Sequence, residues 1–280
     1  MKQILTKIKE SAELIEAEID RILSARDESY AVLFDSMLYS AQGGGKRIRP
    51  FMTLEVCRAL GGSEEAALSL AAAVELVHTY SLIHDDLPCM DDDAYRRGKP
   101  TNHVVFGEAT ALLAGDGLLT LAFETVCDCK VLSAENKVKA IKLLSEKAGV
   151  RGMIGGQQLD LNGEKTELGR DTHLKMNLLK TGALIRAAAL LGCISSNVDE
   201  MTFNAVDEYA KNIGLAFQVT DDLLDDGEEE EKTTFLTFMS RQEAIKYADE
   251  LTEKAVKAVS CVPNNQTLVE LAYFLAKREI

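Results

Sequence analysis

Apolar residues recur at helical spacing along almost the whole chain. Ile4, Ile8, Ile15, Ile19 and Ile22 form one stripe with charges on the other faces, the pattern of an amphipathic N-terminal helix. Pro50 suits the first turn of a second helix, predicted over 51–60 and closed by Gly61-Gly62. Ser63, with Glu64 and Glu65 behind it, caps a long apolar helix that runs to His84-Asp85-Asp86. The periodicity predicts one helix starting at Asp171 and stopping at Gly192, with Lys180 and Thr181 inside it. Ser240 and Glu243 form a capping-box pair before another helix, and Asn264 or Asn265 caps the last. Apart from the short acidic run 228–231 there is no low-complexity stretch, and no linker, so one domain over 1–280 is expected.

Composition sharpens this to an all-α fold: the chain holds only 4 prolines and 6% aromatic residues. A net charge of −14, with no basic stretch, excludes a nucleic-acid binder. The apolar run 66–83 is long enough to raise the question of a membrane span. Glu75 and His78 interrupt it and an acidic pair ends it, so a buried core helix and no stable membrane insertion are expected. The six cysteines, at 57, 89, 127, 129, 193 and 261, lack a disulfide-framework spacing. Cys127-Asp128-Cys129 has no CxxC partner and reads as ordinary thiols, which fits a cytoplasmic protein.

The chemistry lies in two acidic clusters, each after an apolar helix. The first is Asp85-Asp86-Leu87-Pro88-Cys89-Met90-Asp91-Asp92-Asp93, trailed by Arg96 and Arg97; the second is Asp221-Asp222-Leu223-Leu224-Asp225-Asp226. Carboxylates this dense repel one another unless a cation lies between them, and Mg²⁺ bridged to a substrate diphosphate satisfies both clusters. Asp221 and Asp225 are four apart and share a helix face. Asp85 and Asp91 are six apart, which on a continuous helix would separate them by about 120°. Pro88 predicts that the helix ends near Asp86 and that a turn through Leu87 to Met90 returns Asp91 to Asp85. A solvated helix end would explain one such cluster, not two.

A second anion site is suggested by Gly43-Gly44-Gly45-Lys46-Arg47-Ile48-Arg49-Pro50, where glycines admit a ligand to the backbone and Lys46 and Arg49 supply charge. By itself this signal is weak, and the P-loop spacing is absent. His78 lies seven residues before Asp85, on about the same face; alone it reads as a core histidine.

Together these blocks resemble the trans-type isoprenyl diphosphate synthases, the short-chain polyprenyl synthetase family. The likeness runs from about residue 30 onward. It rests on 44–50, on 78–86 through Arg97-Gly98-Lys99-Pro100-Thr101, on Gly155-Gly156-Gln157-Gln158-Leu159-Asp160, on Lys180-Thr181-Gly182, and on 217–225. The resemblance implies antiparallel helices packed around a deep central cavity, usually as a homodimer. It implies condensation of isopentenyl diphosphate with an allylic diphosphate, dimethylallyl or geranyl, on about three Mg²⁺ ions. By motif position Asp85, Asp86 and Asp91 on one wall, and Asp221 and Asp225 on the other, would be metal ligands. Arg96, Lys180, Thr181 and Gln218 correspond to allylic-substrate contacts, and Lys46, Arg49, His78 and Arg97 to the isopentenyl diphosphate site. Asp85, Asp91, Arg96, Lys180 and Asp221 would carry catalysis. Tyr80, with Ser81 beside it, would set chain length, favouring farnesyl over geranylgeranyl or geranyl diphosphate.

The pattern breaks after Asp225. The family continues through a loop of roughly twenty residues bearing two lysines; here Asp226 and Gly227 lead through four glutamates straight to Lys232. Lys232 matches the later lysine, and the earlier one is missing. That departure sustains a rival of another class, a non-catalytic regulatory subunit. A terpene cyclase or head-to-head condensing enzyme is a further alternative, but the Gly-Lys-Arg block implies a second diphosphate pocket that a cyclase does not need.

Overall fold

The computed structural model describes residues 2–163, 165–225 and 233–276. Its architecture is helical, with one small hairpin. In order come α1 (Lys2–Leu23), α2 (Ala31–Ala41), α3 (Ile48–Leu60), α4 (Glu64–Asp85), the strands β1 (Tyr95–Arg96) and β2 (Lys99–Pro100), and α5 (Asn102–Phe106). There follow α6 (Glu108–Asp128), α7 (Ala134–Ala148), α8 (Met153–Gly163), α9 (Arg170–Lys180), α10 (Gly182–Ile194), α11 (Glu200–Leu224), α12 (Arg241–Ala258) and α13 (Gln266–Ala276).

Helix α4 is the axis of the packing, touching α3, α6 and α10. It is apolar nearly all round, so it can be covered on every side: Leu70, Ala71, Ala72, Ala73, Val74 and Val77 are fully buried. A second cluster joins α1, α3, α10, α11 and α13 around Phe51, Met52 and Tyr209, and a third ties α11 to α12 through Val219 and Phe235. The N-terminal stripe is buried at Ile4, Ile8, Ile15 and Ile19, with Ile22 at its edge. By length and composition α4 and α6 could each cross a membrane. In α4 that apolar surface is spent in the core, and its Glu75 is paired with Arg47.

The caps explain where the helices stop. Ser63 accepts the Ala66 amide at the start of α4, and Ser240 and Glu243 form the expected reciprocal capping box on α12. Gly61 ends α3 in the left-handed conformation, φ 67°. Asn265 precedes α13, but its side-chain amide donates to Val259 O (2.7 Å) instead of capping.

Three boundaries differ from the sequence reading. Helix α3 begins at Ile48, so Pro50 sits inside its first turn, where no intrahelical amide bond is lost. The helix predicted over 171–192 is two, α9 and α10, bent by 40° at Thr181. The apolar face continues through the bend, so periodicity does not reveal it. The bend lets Gly182 approach Gly214 of α11 closely, where an added Cβ would lie 3.4 Å away. Finally, the segment after the first acidic cluster forms a two-stranded hairpin, pairing Tyr95 with Pro100 and Arg96 with Lys99. Its turn residues, Arg97 and Gly98, both have positive φ (53° and 74°), which suits the right-handed twist of a tight hairpin.

Candidate active site

At the end of α4 the chain doubles back as Pro88 requires. The Asp91 amide donates to Asp85 O (2.9 Å) and the Asp92 amide to Leu87 O (3.2 Å), placing Asp91 beside Asp85. Burial, and then the charges of Asp91 and Asp86, push the Asp85 carboxyl up to about 6 against the pull of Lys180 and Arg96. Asp86 faces elsewhere: it is buried and accepts from Arg96 Nε at 2.7 Å and Nη2 at 2.6 Å, with Asp93 3.5 Å away on the same guanidinium. The hairpin that presents Arg96 and Arg97 is pinned from below. Thr101 Oγ1 donates to Asp93 O, and buried Asn102 donates to Ser36 O and Ser40 Oγ on α2.

The α9–α10 bend supplies Lys180 and Thr181 opposite Asp85. Lys180 is ion-paired with Asp160 of α8, a residue the sequence motif contained but whose partnership it did not reveal. Gln157, one turn earlier on α8, keeps a buried side-chain nitrogen without a hydrogen-bond partner at this cavity. Helix α11 carries Gln218 and Asp221, both half-buried, and Asp225 as its exposed C-terminal cap residue. Asp221 lies close enough to raise the pKa of Arg49, although burial lowers it overall. Asp222, on the adjoining face, accepts the Phe235 amide at 2.7 Å. Lys232 and Asp226 lie outside the described residues.

Two cavities meet here. One, about 590 Å³, is lined by Gly45, Lys46, Arg49, His78 and Arg97; the other, about 550 Å³, runs from Asp85 and Lys180 down past Tyr80, Ser81 and Leu119. Arg49 and His78 belong to both. Arg49 Nη1 stands 3.3 Å from His78 Nε2; because the guanidinium only donates, Nε2 accepts and the imidazole is neutral. Burial and then the surrounding arginines hold the His78 pKa well below its ordinary value. In the second cavity the Tyr80 ring is buried, meets the His84 ring edge-on at 5.7 Å, and has no partner for its hydroxyl. His84 is keyed into α6, where a Cβ on Gly115 would overlap its ring.

The sequence profile of the polyprenyl synthetase family matches residues 30–234. The chain belongs to that family. The geranylgeranyl diphosphate synthase of Cyanophora paradoxa is 40% identical over 291 residues, covering 98% of this chain and 96% of that one. The farnesyl diphosphate synthase of Bacillus subtilis is 39% identical over 260 residues, 87% of this chain and 88% of that one. Among solved structures, an FPP/GFPP synthase from Zymomonas mobilis matches with a TM-score of 0.93 at 35% identity, over 98% of this chain and 99% of that one. The fold is therefore the all-α isoprenoid synthase fold.

Polyprenyl synthetases depend on a divalent metal. Among the described residues no three His, Cys, Asp or Glu side chains converge on one point. What the protein offers is crowded hard-oxygen donors on the first wall, Asp85 raised chiefly by burial, with Asp221 near Arg49 on α11. That donor set fits Mg²⁺, which keeps waters and takes one or two carboxylates plus substrate phosphate oxygens.

Proposed function

We propose that this polyprenyl synthetase condenses isopentenyl diphosphate with an allylic diphosphate, dimethylallyl or geranyl, and stops at fifteen carbons, as farnesyl diphosphate. The observation that carries this is the pair of cavities sharing Arg49 and His78. One is cationic and suits a diphosphate; the other is acidic at its mouth and apolar below.

In this reading Asp85, Asp91, Asp221 and Asp225 would hold about three Mg²⁺ ions, whose positive charge would stabilise a leaving diphosphate. Asp86 serves that wall by orienting Arg96 and is a structural partner more than a ligand. Arg96, Lys180, Thr181 and Gln218 grip the allylic diphosphate, with Lys180 exchanging Asp160 for a phosphate oxygen. Lys46, Arg49, His78 and Arg97 hold isopentenyl diphosphate; its double bond attacks the allylic carbon once the C–O bond to diphosphate has broken, and the resulting cation loses a proton to the released diphosphate. Lys232, outside the described residues, serves the allylic diphosphate. Leu119 and Tyr80 keep water from the cation, and Tyr80, more than a turn below Asp85, closes the floor. No protein nucleophile is required.

A homodimer is supported by the exposed apolar face of α5 and α6, where Val104, Val105, Leu112 and Leu113 are each about half exposed. The acidic charge supports the absence of nucleic-acid partners, the buried apolar surface of α4 supports a core helix in place of a membrane span, and the free cysteines support a cytoplasmic protein. The missing lysine before Lys232 favours one rival, a silent partner subunit.

Incubation with Mg²⁺, isopentenyl diphosphate and each of dimethylallyl, geranyl and farnesyl diphosphate, read by mass spectrometry, tests the reading. Elongation to fifteen carbons is expected, with Asp85→Ala collapsing turnover while circular dichroism stays helical. Folded wild-type protein that elongates no primer would put the silent subunit first.

A further inference from the structure

Three cations stand in the glycine-rich segment, and the structure uses them differently. Lys46 is exposed, and Arg49 faces the shared wall of the two cavities. Arg47 turns inward: its side chain is 1% exposed. It donates from Nη1 to Glu75 Oε1 at 2.6 Å, from Nη2 to Ala41 O at 2.5 Å, and approaches Glu16 Oε1 at 3.3 Å. One guanidinium thus ties α1, the end of α2 and the middle of α4 to the first residues of α3. The backbone of Arg47 is left-handed, φ 49° and ψ 36°, an uncommon conformation for a residue with a Cβ. A conformation of that kind persists where its surroundings over-determine it. The buried fan of hydrogen bonds does so here. Glu75 sits one turn before His78 on α4, so the same pair fixes the loop against the helix that bears His78. From outside, Arg97 donates to Gly44 O and lies where a Cβ on Gly45 would meet its guanidinium at 2.5–2.9 Å.

We propose that Arg47 and Glu75 form a positioning pair that sets Lys46 and Arg49 in register with His78, and so governs affinity for the non-allylic diphosphate substrate. Both residues border the cavity, but their charges are spent on each other, with Arg47 Nη1 and Glu75 Oε1 2.6 Å apart. The assignment of that cavity to isopentenyl diphosphate rests on the function proposed above.

The test separates positioning from charge. Arg47→Met alone leaves Glu75 as an uncompensated buried anion beside a diphosphate pocket, so it perturbs both. The double variant Arg47→Met/Glu75→Leu removes one charge of each sign, leaves the net charge unchanged, and buries no orphaned ion. Expected of the folded double variant is a rise in KM for isopentenyl diphosphate of at least about tenfold, with kcat and the allylic KM within about threefold of wild type. Calorimetric binding of isopentenyl diphosphate without metal should weaken by a similar factor. A double variant with wild-type isopentenyl affinity overturns the proposal, because the pair would then be a charge neutraliser only. Equal losses for both substrates overturn it too, since they would mark general loosening of the fold. If the wild type itself makes no product yet binds isopentenyl diphosphate, the proposed function fails and the calorimetric comparison still decides the role of the pair.

Discussion

Gly156→Ala should be a small substitution with a large effect on one substrate. Gly156 of α8 faces α9, and an added Cβ would lie 2.6 Å from Lys180 Cα and 2.7 Å from Leu179 C. These are backbone atoms and cannot rotate away. Lys180 N lies nearer still and ordinary contact begins at 3.4 Å, so α8 and α9 must part by more than an ångström at the residue that presents Lys180. Two terms oppose each other in stability: alanine gains about 0.5–1 kcal/mol over glycine inside a helix, whereas overpacking costs about 1–3 kcal/mol. The net loss is about 0–2.5 kcal/mol, or a few degrees in Tm at about 2–4 °C per kcal/mol for a large domain. The functional loss is greater, since misplacing a binding group by about 1 Å costs about 100-fold. Steady-state kinetics should show kcat/KM for the allylic substrate falling by about 10- to 100-fold, with the isopentenyl KM little changed. Gly117→Ala is the control: it lies in α6, and the nearest atoms are the flexible Sδ and Cε of Met37 at 3.2 and 3.5 Å, so it should keep full activity. A folded Gly156→Ala enzyme with wild-type allylic kinetics would refute the claim that the α8–α9 contact places Lys180.

Tyr80→Ala should lengthen the product beyond fifteen carbons by mass spectrometry, whereas Tyr80→Phe should keep the product and raise Tm, because it removes a buried hydroxyl that has no partner; an unaltered product in the alanine variant removes Tyr80 as the floor. His78 stays neutral in the fold, so its contribution to stability is fully present above the unfolded-state value near 6.5. As pH falls below that value, only the unfolded chain takes up the proton, and stability declines by up to about 1.4 kcal/mol per pH unit. Urea midpoints of ligand-free protein between pH 7.5 and 5.5 should therefore drop more in wild type than in His78→Gln, and parallel pH profiles would show that the imidazole is accessible to protons.

The sequence determined the elements and most of the inventory of the site. Local rules suffice where the cause is local: the Ile4–Ile19 stripe buries one face, Ser63 and Ser240 cap, and Pro88 forces the turn that returns Asp91 to Asp85. Periodicity did not reveal the bend at Thr181, because the apolar face runs on through it; the approach of Gly182 to Gly214 that the bend allows is a contact with another helix. Nor could it show which charges serve substrate and which serve the protein. Arg47 and Arg49 are two residues apart and chemically identical, yet one is buried against Glu75 and the other faces both cavities. Asp85 and Asp86 are adjacent, yet one lines the cavity while the other is held by Arg96. Successive helical residues point about 100° apart, so neighbours in the chain meet different partners. Those partners, at Glu75, Arg96, Asp160 and Phe235, are 10 to 28 residues away and are brought near only by packing. The motif supplied the charged groups; the tertiary structure decided which of them remain available to a ligand.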